Sequence, residues 1–118
     1  MPTAPRQVRR AHVDLGRVAS AIPAAGLVLD SESREVLIHG QRADMTFREF
    51  ELLHFLVSNP RRVFTREQLL SSVWGYSSEG ITRTVDVHIH RLRRKLGPEY
   101  GQFLITVSRV GYRFAPPQ

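Results

Sequence analysis

A chain of 118 residues is long enough to bury a sizeable core as one domain without covalent staples. It contains no cysteine, which excludes disulfides, thiolate metal sites and thiol nucleophiles and makes the cytoplasm the expected compartment. The net charge of +6 comes from 16 arginines and one lysine, and the planar arginine fork matches phosphate oxygens and guanine edges, so nucleic acid is the favoured partner.

Residues 1–25 show no stable period, carry Arg6, Arg9, Arg10 and Arg17, and end in small residues; they read as a flexible basic arm or linker. The apolar stretch 18–29 is broken by Ser20, Pro23 and Gly26 and is too short to cross a bilayer, so neither a membrane span nor a secretory signal is expected. From residue 26 to 116 the pattern tightens into a folded domain. Leu27-Val28-Leu29 and Val36-Leu37-Ile38, set off by the turns Asp30-Ser31-Glu32-Ser33 and His39-Gly40-Gln41, predict two or three short antiparallel strands.

At Thr46 the period becomes helical. Phe47, Phe50, Leu53, Phe55, Leu56 and Val57 recur at helical spacing, Thr46-Phe47-Arg48-Glu49 is a capping box, and Asn59-Pro60 closes the segment. Thr65-Arg66-Glu67-Gln68 is a second capping box opening a short helix of about three turns that carries Leu69, Leu70, Val73 and Trp74 and ends at Gly75. After the polar loop 75–80, Ile81, Val85, Ile89, Leu92 and Leu96 form one apolar stripe of a third helix over 81–96, which Gly97-Pro98 stops. Residues 103–114 read as a terminal hairpin bent at Ser108-Arg109-Val110-Gly111.

On the third helix the side away from the stripe carries Arg83, Val87, His90, Arg91 and Arg94. A major groove admits one α-helix, so a helix anchored on one side and presenting arginine plus a small apolar group on the other suits base reading: Arg91 and Arg94 for guanine edges, Val87 for a thymine methyl. An ordinary solvated helix face, with the arginines paired to Asp86 through helical neighbours, is the alternative. The order of capped helix, loop, basic helix and arginine-tipped hairpin is what a winged helix-turn-helix needs, with the helix in the major groove and the wing toward the minor groove. The expected fold class is therefore α+β: an N-terminal antiparallel sheet, three helices and a C-terminal β-hairpin wing.

Several motifs in this order resemble the DNA-binding effector domains of the OmpR/PhoB-type response regulators, over residues 27–116. They are Thr46-Phe47-Arg48-Glu49-Phe50-Glu51-Leu52-Leu53, Val63-Phe64-Thr65-Arg66-Glu67-Gln68-Leu69-Leu70, Val73-Trp74-Gly75-Tyr76, the run from Arg83 to Leu96, and Gly111-Tyr112-Arg113-Phe114. The resemblance implies a four-stranded N-terminal sheet. It also implies that Trp74, Arg83, Thr84, His88 and Arg93 hold phosphates, that Val87 and Arg91 face bases, that Thr106 of the wing lies at the DNA, and that the 75–80 loop contacts RNA polymerase. Two copies on tandem direct repeats about 10 to 11 base pairs apart are implied as well.

This chain departs from the family pattern in two places. Many members have arginine where His90 stands, so the phosphate contact there is weaker or pH-sensitive. Many have Arg-Gly where this chain has Ser108-Arg109 before Val110-Gly111-Tyr112; the shift moves the wing arginine by one residue, and its direction at a turn tip stays open. The 26 residues before Leu27 are too few for the receiver domain that such proteins usually carry, which leaves an excised effector domain or a solitary regulator.

Rival classes are weaker. His88 and His90 point about 160° apart on a helix, and no other histidines have ligand spacing, so no metal site or cofactor is expected. The chain has no Gly-rich phosphate loop, GxSxG or HExxH, and Glu49 and Glu67 have capping roles, so no enzyme activity is expected. An assembly or protein-interaction winged helix is the alternative function.

Overall fold

The computed structural model describes residues 20–22, 26–75 and 81–117, and these fall into two compact units, one running up to Asp44 and the other from Met45. In the first unit, β1 (Ser20–Ile22), β2 (Leu27–Asp30), β3 (Glu35–Ile38) and β4 (Gln41–Ala43) form an antiparallel sheet in sequence order. The β2–β3 turn is held by Asp30, whose Oδ1 accepts from the Glu32 and Ser33 amides at 3.0 and 3.4 Å. His39 (φ 51) and Gly40 (φ 79) make the β3–β4 connection with both central residues left-handed, the two-residue hairpin turn that matches strand twist and pairs Ile38 with Gln41. Leu27, Leu29, Val36 and Leu37 are buried.

Strand β1 lies within the stretch that the sequence suggests is an arm: residues 20–22 pair with 27–29 instead. The rest of that expected arm, apart from β1, lies outside the described residues. Gln41, expected in a turn, begins β4, so the sheet has the four strands implied by the family resemblance.

The second unit opens with α1 (Phe47–Ser58). Its capping box is complete: the Glu49 amide donates to Thr46 Oγ1 at 3.2 Å and the Thr46 amide to Glu49 Oε1 at 2.8 Å. Phe50, Leu53, Leu56 and Val57 supply the buried stripe. The helix ends at Asn59, whose side chain donates to the Phe55 carbonyl.

Two residues, Phe64–Thr65, then form β5, an element absent from the sequence reading, which pairs with the C-terminal strand. Thr65 caps α2 (Arg66–Leu69), with Gln68 closing the box and Glu67 exposed in the first turn. The chain continues as a wider π-helical turn, Leu70–Trp74, marked by the Gly75 amide bonding back five residues to the Leu70 carbonyl at 3.0 Å.

The third helix, α3, spans Arg83–Gly101 and buries Val85, Ile89, Leu92 and Leu96, each worth about 1.5 to 3 kcal/mol. Ile81 does not join that stripe, because the helix begins two residues later and Ile81 is 41% exposed. Gly97 (φ 83) interrupts the helix rather than ending it: Pro98 starts one more turn, which seats Tyr100 with no exposed surface. Then β6 (Leu104–Val107) and β7 (Gly111–Phe114) form the hairpin, in a three-stranded sheet ordered β5-β7-β6. This is a winged helix.

Inside this unit the one lysine has a structural task. Lys95 Nζ lies 2.6 Å from Glu49 Oε1, and Glu49 is buried while Lys95 is about a third exposed. Burial pushes the Glu49 carboxyl up, but the Lys95 ammonium and the Thr46 amide and hydroxyl more than offset it, holding the carboxyl below its ordinary value. A lowered folded-state value means that the pair's stabilisation is complete above the ordinary glutamate range, about pH 4.3, and fades as the pH falls below it. Replacing Lys95 by Met leaves a buried carboxylate without its cation and is expected to cost about 2 kcal/mol at pH 7, discounted for the solvent reaching Lys95. Urea denaturation from pH 7 to pH 3 should show this gap narrowing in acid; equal stability of variant and wild type at every pH would refute the assignment.

Candidate nucleic-acid interface

Helical geometry turns about 100° per residue, so burying positions 85, 89, 92 and 96 forces 83, 87, 90, 91 and 94 outward. Arg83, His90, Arg91 and Arg94 are exposed, and Val87 among them is 37% exposed. Asp86 is the only acidic residue between 81 and 98, and its charge is spent elsewhere. Arg66 of α2 donates from Nε to Asp86 Oδ1 at 2.7 Å, and the Tyr112 hydroxyl of β7 donates to the same oxygen at 2.6 Å. The sequence-based alternative, Asp86 neutralising arginines on its own helix, is not what the structure contains. The outer face of α3 is left positive.

Beside this face, His88 and Thr84 are half-buried. His88 Nδ1 sits 2.8 Å from the Thr84 carbonyl oxygen, and a carbonyl only accepts, so Nδ1 carries a proton and Nε2 is the nitrogen left for any outside partner. The ring meets half-buried Trp74 edge-on, centroids 4.9 Å apart, which joins the end of the π-helical turn to α3. His88 and His90 do not converge, one being packed on Trp74 and the other exposed.

Arg93 is placed differently from the other arginines. Its Nε and Nη2 donate to the Leu104 carbonyl at 3.0 and 2.7 Å, and Nη2 also donates to Thr106 Oγ1 at 2.8 Å. The residue that the resemblance makes a phosphate holder therefore also braces α3 against β6, with Nη1 taking part in none of the three bonds. Thr106, on the exposed side of β6, receives that bond.

At the wing tip Ser108, Arg109 and Val110 are all exposed. The Val110 amide closes the turn on the Val107 carbonyl at 2.9 Å, and Arg109 is held left-handed at φ 68. A side chain in that conformation costs about 1 to 2 kcal/mol, and glycine avoids it. Arg109→Gly is therefore expected to raise stability by about 0.5 to 1 kcal/mol in chemical denaturation, after the extra chain entropy of glycine is deducted. A loss of stability would show that the turn does not strain Arg109. Gly111 follows and is buried, because the β5 backbone passes against it.

The cluster linking Arg66, Asp86 and Tyr112 had no sequence signal in its spacing, since its members lie 20 and 26 residues apart. A lone acid on an otherwise basic helix was the one available hint. Of the 75–80 loop, only Gly75 is among the described residues.

A winged helix with a positive, aliphatic-bearing helix face and an arginine-tipped hairpin defines a nucleic-acid-binding class of domain. Residues 40–114 match the family model described as "Transcriptional regulatory protein, C terminal". The chain belongs to this family of OmpR/PhoB-type DNA-binding domains. It is 55% identical over 87 residues to the uncharacterized transcriptional regulatory protein YclJ of Bacillus subtilis, covering 73% of this chain and 38% of that protein. It is 44% identical over 99 residues to the phosphate regulon transcriptional regulatory protein PhoB of Escherichia coli, covering 83% and 43%. The chain thus spans about two fifths of the length of these relatives. Among solved structures, the DNA-binding domain of Klebsiella pneumoniae RstA in complex with the RstA box matches with a TM-score of 0.71 at 32% identity, covering 78% of this chain and 93% of that one.

Proposed function

We propose that the chain binds double-stranded DNA in a sequence-dependent way and regulates transcription, with α3 in the major groove and the wing at the neighbouring backbone or minor groove. The observation that carries this reading is the outer face of α3, where Arg83, Arg91, Arg94 and Val87 are exposed and, among the described residues, no acidic side chain pairs with these arginines, while the opposite face is locked in the core. In this reading Val87, Arg91 and Arg94 meet base edges. Trp74, Arg83, Thr84, His88, His90 and Arg93 hold phosphates, His88 and Arg93 from positions already fixed by Trp74 and by β6. Thr106, Ser108 and Arg109 form the part of the wing that approaches DNA; Gly111, expected there from the sequence, is buried against the β5 backbone and serves the wing's root instead.

Residues 26–116, extended by β1, make up the binding module, with the preceding residues as a basic arm or linker. Two copies occupy tandem direct repeats as a dimer formed on DNA, and the 75–80 loop meets RNA polymerase; RstA, a structural relative, is itself recorded on its box. The protein works in the bacterial cytoplasm at the nucleoid, and among the described residues no helix is long and apolar enough to cross a membrane. The module binds and does not catalyse.

A salt titration tests the reading. Each phosphate neutralised should contribute about −0.9 to the slope of log affinity against log salt, with one duplex sequence still preferred over others at near-physiological salt. A flat salt response would instead favour the assembly-module alternative.

A further inference from the structure

We infer that Tyr112, through its hydroxyl bond to Asp86, is the positioning residue that sets the wing against α3 and so determines which base pairs beside the helix-read sequence the wing can address. The inference rests on the DNA-binding reading above and deepens it. Three observations converge on this one ring. The backbone of Tyr112 pairs with Phe64, in a β5–β7 ladder only two residue pairs long, so the wing is hinged on a short root. Its hydroxyl donates at 2.6 Å to Asp86 Oδ1 on α3, the same oxygen that Arg66 of α2 reaches at 2.7 Å. The ring itself is 5% exposed and lies 5.3 Å from the Arg66 guanidinium and 5.9 Å from that of Arg93, which bonds β6.

A hydrogen bond to a carboxylate is stronger and more directional than one between neutral groups, and here it spans two elements with separate tasks on DNA. The Tyr112 phenol is well suited to it. Burial and the Asp86 carboxylate both push its ionisation upward, so it stays a donor throughout the neutral range. Without the hydroxyl the ring can still fill its place, but β7 loses its tie to the helix that reads bases, and the Arg93 bonds to Leu104 and Thr106 are left to hold the ribbon through β6. The consequence falls on geometry more than on folding, since a reading group misplaced by about 1 Å loses most of its contact.

The test is selection of bound duplexes from a random library with wild type, Tyr112→Phe and Asp86→Asn, alongside residual dipolar couplings of the free proteins. Tyr112→Phe should enrich the same core sequence as wild type while its preference at the flanking positions falls about tenfold, and its couplings should show the wing tilting relative to α3. Asp86→Asn keeps an oxygen for the hydroxyl but loses the charge, and should fall between the two. A folded Tyr112→Phe with wild-type flank preference and alignment would overturn the inference, as would equal loss at core and flank. If Tyr112→Phe does not fold, unchanged flank preference in Asp86→Asn overturns it. A wild-type protein that enriches nothing brings down the DNA reading itself, while the couplings still report separately whether the hydroxyl ties wing to helix.

Discussion

Gly111→Ala is expected to destabilise the domain by about 3 kcal/mol and lower its melting temperature by about 15 °C. A Cβ built on Gly111 would sit 1.8 Å from the Phe64 carbonyl oxygen, 2.8 Å from its carbon and 2.9 Å from the Thr65 Cα. All three are backbone atoms, so no rotamer change relieves the overlap; β5 and β7 must separate. Their ladder holds only Phe64↔Tyr112 and Thr65↔Gly111, so a shift of this size removes it altogether. Gly97→Ala is the matching control. Gly97 is left-handed at φ 83 but has open space where a Cβ would go, so it should lose only about 1 kcal/mol. Thermal unfolding of the two variants separates contact from conformation, and a Gly111→Ala protein within about 1 kcal/mol of wild type would contradict the close approach.

Arg93→Ala carries the second large effect, on binding. The substitution removes the three hydrogen bonds that brace α3 to Leu104 and Thr106 and, on the proposed reading, one phosphate partner. Because the guanidinium is fixed before DNA arrives, little side-chain entropy remains to be lost on contact, and its removal should cost about 30- to 100-fold in affinity. The phosphate part of the loss should be nearly the same for every duplex, with the salt slope shallower by about 1, while the loosened wing adds a fall in preference at the flanking positions. Anisotropy titrations of preferred and scrambled duplexes at several salt concentrations read both quantities. A loss confined to the preferred duplex would instead make Arg93 a base reader, against its position beside β6.

What was legible in the sequence came from local chemistry. The boxes opened by Thr46 and Thr65 close with the partners their spacing demands, and the stripe Val85, Ile89, Leu92, Leu96 is buried as its period requires. What was not legible depends on partners remote in the chain. Strand β4 is Gln41-Arg42-Ala43, without apolar alternation, and exists because the His39-Gly40 turn delivers it to β3. Strand β5 is two residues long, below any periodicity, and is defined by its pairing with β7. Ile81 fits the helical spacing yet lies outside the helix, since a period alone does not say where the first turn begins.

The same division applies to the candidate interface. The exposure of Val87, Arg91 and Arg94 follows from the wheel and could be foreseen. That Arg93 would be tied to β6, that Asp86 would be taken by Arg66 and Tyr112, and that Lys95 would serve a buried Glu49 required the tertiary fold. The arginine of the wing turn was visible as a departure from the family pattern, but its left-handed backbone was not.

The central claim is that α3 reads bases through Arg91 and its neighbours. Selection of bound duplexes from a random library at near-physiological salt, run in parallel with wild type and Arg91→Ala, tests it most directly. The expected result is an enriched motif that Arg91→Ala blurs at one position, at a cost of about 1 to 3 kcal/mol for the preferred duplex. A wild-type protein that enriches no sequence, or a motif that Arg91→Ala leaves intact at every position, would contradict it.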